Sequence, residues 1–254
     1  ERLTRTNHIH LHCDLIFGLP GETLETILAS FAEVFLLKPH ELQLGFLKFL
    51  PGAPISEVIQ SHEYQYQSSP PYEVISNKDL SAEQLIYLKK LAEVFDLFYN
   101  SKRFEFSIQH LLQTWEPVDL FDHLLSHMET QDLFYPSHSL DRQYRIFADA
   151  FTLHGDIEAM DFLKLDYLFH QKAYRLPAFM IDDSVSIPKN GKKTWEGDRR
   201  TPLIPFFHDI RLNNSNVQLN PSPQPIYYAI VHPEQRNGYI KRPFIERVGP
   251  QHST

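Results

Sequence analysis

Two interleaved patterns run from His8 to Gly18. One parity reads His8, His10, His12, Asp14 and Ile16, and the other reads Ile9, Leu11, Cys13, Leu15 and Phe17. Alternation with a period of two puts these sets on opposite faces of a β-strand, one mostly polar and one wholly apolar. Gly18-Leu19-Pro20-Gly21 breaks the strand, and Glu22-Thr23 opens a helix. From Glu22 to Lys38 the apolar positions Leu24, Ile27, Leu28, Phe31, Val34, Phe35 and Leu37 form a helical stripe that ends before Pro39. Leu42 to Leu50 is a nearly continuous apolar run bounded by Pro39 and Pro51-Gly52, the pattern of a strand buried on both faces. Strand, helix and strand in this order predict a parallel right-handed crossover unit, the repeating piece of a barrel or an open α/β sheet.

Pro51 to Asn77 is rich in Pro, Ser, Tyr and Gln. Its length predicts a functional cover or an interdomain strap, with a short helix over Ile55 to Gln60. Ser81-Ala82-Glu83-Gln84 has the spacing of a capping box. The helix it opens is expected to reach Tyr99, with Leu85, Leu88, Leu91, Ala92, Phe95 and Phe98 on one apolar face and Lys89 and Lys90 elsewhere. Further helices are predicted over Glu105 to Thr114, Val118 to Met128, Leu140 to Leu153 and Ile157 to Gln171, the last capped by Asp156. Helices without intervening strands mark a change of architecture, which places a boundary near Lys78. The tail changes again: Leu203 to Leu212, Ile226 to His232 and Tyr239 to Val248 are β-prone runs that predict a small antiparallel sheet, preceded by a polar loop over Lys189 to Arg200.

A chain of 254 residues with 42% hydrophobic and 13% aromatic content has ample material for a core. A net charge of -8 supplies no general attraction to nucleic acid or an anionic membrane, so neither is an expected partner. One cysteine excludes an internal disulfide framework and fits a reducing, cytoplasmic setting. No apolar run reaches the roughly 20 residues of a membrane span.

At the opening strand the chain resembles a known family. Asp14-Leu15-Ile16-Phe17-Gly18-Leu19-Pro20-Gly21-Glu22-Thr23 resembles the late strand-turn-helix of the radical S-adenosylmethionine enzymes, such as oxygen-independent coproporphyrinogen oxidase and the methylthiotransferases. The stretch from Glu41 to Gly52, Pro70 to Ser76, and Phe98-Tyr99-Asn100-Ser101 resemble the C-terminal part of cobalamin-binding-domain radical S-adenosylmethionine proteins that end in a domain of unknown function. The resemblance spans most of the chain and is clearest from Ile9 to Phe104. It implies a partial TIM-like α/β barrel end over 1–77, followed by a mainly α accessory domain over 78–200 and a small antiparallel β tail over 201–254. Members ligate a four-iron four-sulfur cluster through Cys-x3-Cys-x2-Cys, and this chain has one cysteine. The cluster ligands and the cobalamin domain are therefore expected upstream of Glu1, in the same polypeptide, with this chain as a C-terminal piece that is not redox-active alone.

The resemblance also assigns site residues, and each has a structural counterpart. Asp14 matches the carboxylate that holds the ribose hydroxyls of S-adenosylmethionine; the alternative is an internal salt bridge. Ile16 implies apolar contact to adenine, or plain core. Gly18 leaves room for a ligand, permits the turn, or both. Near Leu47-Lys48-Phe49 the relatives offer backbone groups to adenine, and the Lys48 ammonium either meets an anion or extends to water. His12 and Tyr72 are candidates to face substrate, Tyr72 alternatively anchoring its loop; the substrate itself is not legible. His8, His10 and His12 alternate on one face as zinc ligands can, but no accompanying ligand pattern supports a metal, and they read as lumen-lining or exposed. Cys13, on the apolar face, reads as a small core residue. Gly-x-Ser-x-Gly and a phosphate-binding Gly-Lys-Ser/Thr loop are absent, and Asp182-Asp183 reads as a loop. The rival reading is a non-catalytic interaction module on a barrel-like scaffold.

Overall fold

The computed structural model describes residues 10–135, 138–171, 176–181, 203–213, 216–231 and 244–248. His8, the carboxylates at 182 and 183, and the polar stretch 189–200 lie outside them.

The opening pattern folds as its periods dictate. Strand β1 (His12–Phe17) is followed by helix α1 (Leu24–Leu36) and strand β2 (Glu41–Phe46), and β1 pairs with β2 in parallel, His12 opposite Glu41 through Phe17 opposite Phe46. Thr23 caps α1 in a capping box with Thr26, and the helix buries Ile27, Phe31 and Phe35. β2 departs from the expected strand in length and burial. It buries Leu42 and Leu44 but exposes Glu41 and Gln43, and the alternation then slips at Phe46-Leu47, so that Leu47 and Phe49 are buried and Lys48 and Leu50 exposed. The nearly continuous apolar run thus comes from two registers in succession rather than from one strand covered on both faces.

The segment after Pro51 is more ordered than a plain strap. A 3-10 turn covers Pro54–Val58, and strands β3 (Gln65–Tyr66) and β4 (Val74–Ser76) pair antiparallel. Helix α2 (Ala82–Phe95) starts at the Ser81–Gln84 capping box and buries Leu85, Leu88, Leu91, Ala92, Val94 and Phe95. Its last turn widens into a π turn over Asp96–Asn100. Lys89 is not on an empty outer face: it ion-pairs with Glu73 and its Nζ lies 5.6 Å from the centroid of the Phe46 ring.

Helices α3 (Glu105–Leu111), α4 (Pro117–Thr130), α5 (Leu140–Ala150) and α6 (Ile157–Gln171) follow, and the Asp156 carboxylate accepts from the Ala159 N–H at 3.0 Å to cap α6. Strands β5 (Leu203–Asn213), β6 (Asn216–Val231) and β7 (Phe244–Val248) form an antiparallel sheet in that order. β6 is longer than its β-prone core, because the Asn- and Pro-containing stretch before Ile226 also pairs with β5, with an irregularity between Phe206 and His208. The chain is a mixed α/β fold with small sheets, none closed into a barrel among the described residues.

By contacts the chain falls into two compact units. The first takes the residues up to Ser101 together with Trp115–His127. At its centre Phe95, fully buried, has the rings of Phe31, Tyr99 and Phe121 at 5.2, 4.8 and 4.9 Å. The second takes Lys102–Thr114 and the residues from Met128 on. Phe106, Phe162, Leu165 and Leu168 there pack against Ile204, Phe206, Ile210 and Tyr228. α3 has no side-chain cap of its own; the buried Asp166 carboxyl group accepts from the N–H groups of Phe106 and Ser107 and from the Ser107 hydroxyl instead. Among the described residues no helix is long and apolar enough to cross a membrane.

Candidate functional site

Alternation along β1 sorts the predicted residues as their parity requires. His12, Asp14 and Ile16 are exposed, Cys13 and Leu15 half-buried, and Phe17 buried. Ile16 is 49% exposed, a large apolar side chain that the first unit's own core does not use. On the neighbouring strand Gln43 lies opposite Asp14 and Gly45 opposite Ile16. His12 bridges this face: its Nε2 donates to Asp14 Oδ1 at 2.9 Å, and its Nδ1 is 3.3 Å from Glu41 Oε2. The hydrogen bond to Asp14, with the charges of Asp14 and Glu41, raises the imidazole above its usual range. His10 sits further out, its ring 5.0 Å from that of His40, whose Nδ1 accepts from the Leu11 N–H at 2.9 Å. Among the described residues no group of three or more His, Cys, Asp or Glu side chains is arranged to hold a metal ion.

Gly18 ends the strand with φ at 91°, a conformation that L side chains rarely adopt, and it is buried. A Cβ there would meet Val74 Cγ1 at 3.0 Å. The glycine therefore makes the turn and admits Val74. The turn is held from behind by residues that sequence reasoning did not single out. The Tyr64 hydroxyl donates to the Gly18 carbonyl at 2.8 Å, the Leu19 N–H donates to Glu22 Oε2 at 2.9 Å, and the Gly21 N–H donates to Asp79 Oδ2 at 3.2 Å. Asn77 Oδ1 accepts from the N–H groups of Asp79 and Leu80, both at 2.8 Å. Burial pushes the Glu22 carboxyl up against the pull of the Leu19 and Gly18 N–H groups, and it pushes the Tyr64 hydroxyl up as well. One sequence signal for this cluster exists: Asn77-Lys78-Asp79-Leu80 ahead of a capping serine is Asx-turn chemistry.

Lys48 and Tyr72 belong to the chain beyond β2. The Leu47 N–H donates to the Phe17 carbonyl, the Val74 N–H to the Leu47 carbonyl, and the Phe49 N–H to the Tyr72 carbonyl, each at 2.9 Å. Lys48 consequently sits opposite Glu73 at a non-hydrogen-bonded position, its own N–H and C=O turned away from that neighbour. Its side chain is exposed. Tyr72, half-buried at φ 57°, lines a cavity of about 340 Å³ with Phe49, Leu50, Pro51, Ile59 and Tyr66. The structure thus brings His12, Asp14 and Ile16 onto one face with Gly18 at its end, while Tyr72 belongs to the aromatic cavity. In the sequence Asn100 stands out through its motif alone. The π turn sets its side chain against β2, where Nδ2 donates to the Leu42 carbonyl at 2.9 Å and Oδ1 accepts from the Leu42 N–H at 3.4 Å. An amide side chain in this way occupies the strand edge as one residue of a neighbouring strand does.

Residues 60–217, more than half of the chain, match a family described as a protein of unknown function, DUF4080. The chain belongs to the DUF4080 family. The DUF4080 stretch takes in Tyr64, Tyr72, Asn77 and Asn100 and extends through α6 into β6, and it begins after Lys48, so the β1 face precedes it. No curated protein matches the chain.

Proposed function

We propose that this chain is the late barrel segment and the DUF4080 region of a radical S-adenosylmethionine enzyme that also uses cobalamin, and that the exposed face of β1 is one wall of its nucleotide site. The observation that carries the reading is the pair Asp14 and Ile16, a carboxylate and an unused apolar side chain two residues apart on a strand face that its own unit leaves open. A second observation points the same way. β1 and β2 form a two-stranded parallel sheet in which, among the described residues, no strand pairs with the far edge of β1. Two strands make a marginal sheet, and upstream domains of the same polypeptide would extend it. The motif around Gly18 and the DUF4080 membership agree with this placement.

The residues present suit the nucleotide. The Asp14 carboxylate can accept from two vicinal ribose hydroxyls, Ile16 offers an apolar surface to adenine, and the outward peptide groups of Lys48 can meet the adenine edge. The Lys48 ammonium is available to an anion, and His12, hydrogen-bonded to Asp14, holds a proton beside the substrate space. When bound, the cluster and S-adenosylmethionine supply radical or methyl-transfer chemistry. A four-iron four-sulfur cluster requires three thiolates on the family pattern, and Cys13 is this chain's one cysteine. This chain's residues therefore do not hold the cluster, and the reading assigns it and the cobalamin to upstream domains.

The test uses the intact protein with its cluster reconstituted. Asp14→Asn is expected to weaken S-adenosylmethionine by about 1 to 3 kcal/mol, the loss of charge-assisted hydrogen bonds, while iron content is unchanged. Cys13→Ala, on the opposite face, is expected to leave affinity unchanged. Calorimetric affinity that is the same in a well-folded Asp14→Asn variant as in the parent refutes the assignment of this face to the nucleotide.

A further inference from the structure

The second unit carries a polar cluster that the reading above does not use. Asp161 and Lys164, three residues apart on α6, are turned toward β5, with side chains only 0% and 6% exposed. Lys164 Nζ donates to Asp161 Oδ1 at 2.8 Å. Asp161 Oδ2 accepts from His208 Nδ1 and from the Phe207 N–H, both at 2.9 Å. The carboxylate is fully engaged by three donors. The ammonium brings three N–H groups, and among the described residues Asp161 is the one hydrogen-bond acceptor it reaches. Its other near neighbours are aromatic faces, with Nζ 5.5 Å from the centroid of Phe206 and 6.0 Å from that of Phe207. A buried ammonium short of acceptors is costly, and the cost falls when an oxygen is brought to it.

Space for that oxygen adjoins the cluster. Lys164 lines a cavity of about 330 Å³ whose other walls include Met160, Phe179, Met180 and Phe207. Ile157 and Ile181 also line it, and they are 54% and 47% exposed, large apolar side chains left outside the unit's core. Among the described residues Asp156 is the one acidic residue on the wall, and its Oδ1 is engaged by the Ala159 N–H at the start of α6. A buried ammonium beside an open cavity of this size, with Met160, Phe179, Met180 and Ile181 among its walls, suits an amphipathic small molecule with one acceptor head group.

We propose that this cavity binds a small amphipathic carboxylate, its head group accepting from Lys164 Nζ and its hydrocarbon part lying against Met160, Phe179, Met180 and Ile181. The site rests on these residues alone and stands apart from the nucleotide reading. Asp161 and His208 act as positioning residues: the carboxylate anchors the ammonium at the cavity wall, and the imidazole and the Phe207 peptide hold the carboxylate.

Octanoate is a suitable probe and octanol its uncharged comparator. The chain has three methionines, Met128, Met160 and Met180, of which the last two line the cavity. With methyl-labelled methionine in the full chain, octanoate is expected to shift the Met160 and Met180 resonances saturably and to leave Met128 in place. Octanoate is expected to bind roughly 10- to 100-fold more tightly than octanol, the range of one charge-assisted hydrogen bond, and Lys164→Met to remove that difference. Because Lys164→Met leaves Asp161 buried without its counter-ion, a second variant guards against misfolding. Ile181→Trp fills the mouth, touches none of the cluster, and is expected to weaken octanoate at least tenfold. Equal affinity for octanoate and octanol would mean that solvent satisfies the ammonium, and it overturns the proposal. So does a titration in which Met160 and Met180 do not move, or an Ile181→Trp variant that binds octanoate as the parent does.

Discussion

The aromatic centre of the first unit offers a measurable check on how α2 is phased. Phe95 is 0% exposed, and the rings of Phe31, Phe35, Tyr99 and Phe121 surround it at 5.2, 6.1, 4.8 and 4.9 Å. Truncation to alanine loses the transfer free energy of the ring and leaves a cavity that stiff neighbouring rings cannot close, which for buried phenylalanine costs about 3 to 5 kcal/mol. Aromatic pairs contribute about 0.5 to 1.5 kcal/mol beyond their buried area, so the upper half of that range is expected for Phe95→Ala. Domains of this kind hold about 5 to 15 kcal/mol in total, so such a loss is a large fraction of the whole. Lys89→Ala on the same helix is the control. It breaks a half-exposed ion pair to Glu73 and a cation–aromatic contact with Phe46, together about 1 kcal/mol. Urea unfolding followed by circular dichroism, analysed at constant m, gives both numbers. If Phe95→Ala loses no more than Lys89→Ala, the helix does not present this face to the core and the phasing is refuted.

Two further perturbations address the polar contacts that join elements. Asn100→Ala strips both hydrogen bonds from the buried Leu42 peptide groups and is expected to cost about 2 to 3 kcal/mol, with faster amide exchange at Leu42; exchange unchanged at that amide counts against the strand-edge role. Asp166 is pushed up to about 8 by burial, against its three donors, from an ordinary value of 3.8. Between those values the folded chain keeps a proton that the unfolded chain has released, so stability is fully present below the unfolded value and falls as pH rises toward 8, by about 1.4 kcal/mol per pH unit. Asp166→Asn removes this titration, and urea midpoints from pH 5 to about pH 9 should fall less steeply in the variant. Parallel slopes in parent and variant sink the assignment.

What was legible in the sequence is what local pattern encodes. The period-two and helical stretches of the first 50 residues predicted a parallel β-α-β unit, and β1, α1 and β2 form one. Ser81 and Gln84 announced the start of α2 because each satisfies the other's backbone within one turn. The box at Thr23 carries no such signature, because its reciprocal partner is Thr26 rather than Glu or Gln. β3 and β4 were invisible, being two and three residues long and stabilised by partners distant in sequence. The Asp161–Lys164–His208 cluster was hidden for a different reason. Charges three residues apart on a helix ordinarily mark a solvated face, but residues 161–166 of α6 are all buried, so the helix is enclosed on every side and periodicity no longer says which side is wet. Of the site, the polarity of β1 could be read. The residues behind its turn could not, because Tyr64 and Asp79 reach Gly18 and Gly21 only once the chain has doubled back.

That doubling back bears on where the functional body begins. The DUF4080 match starts at residue 60, in the midst of the first compact unit, which already includes β1, α1 and β2. Physical connections cross the family's first residue at several points. The Tyr64 hydroxyl holds the Gly18 carbonyl, Asp79 holds the Gly21 N–H, Val74 packs where Gly18 lacks a Cβ, and Asn100 closes the edge of β2. The Asp79–Gly21 bond is exposed, but the Tyr64, Asn100 and Val74 connections are buried or half-buried and polar or close-packed, the kind whose removal leaves an unsatisfied group or a void. A protein cut at residue 60 would therefore lose the strands that Asn100 and Tyr64 are shaped to hold. It follows that the Gly18-Leu19-Pro20-Gly21 turn and the start of the DUF4080 region act as one body. The position of Asp14 and Ile16 is then set as much by residues 64–100 as by the strand that carries them.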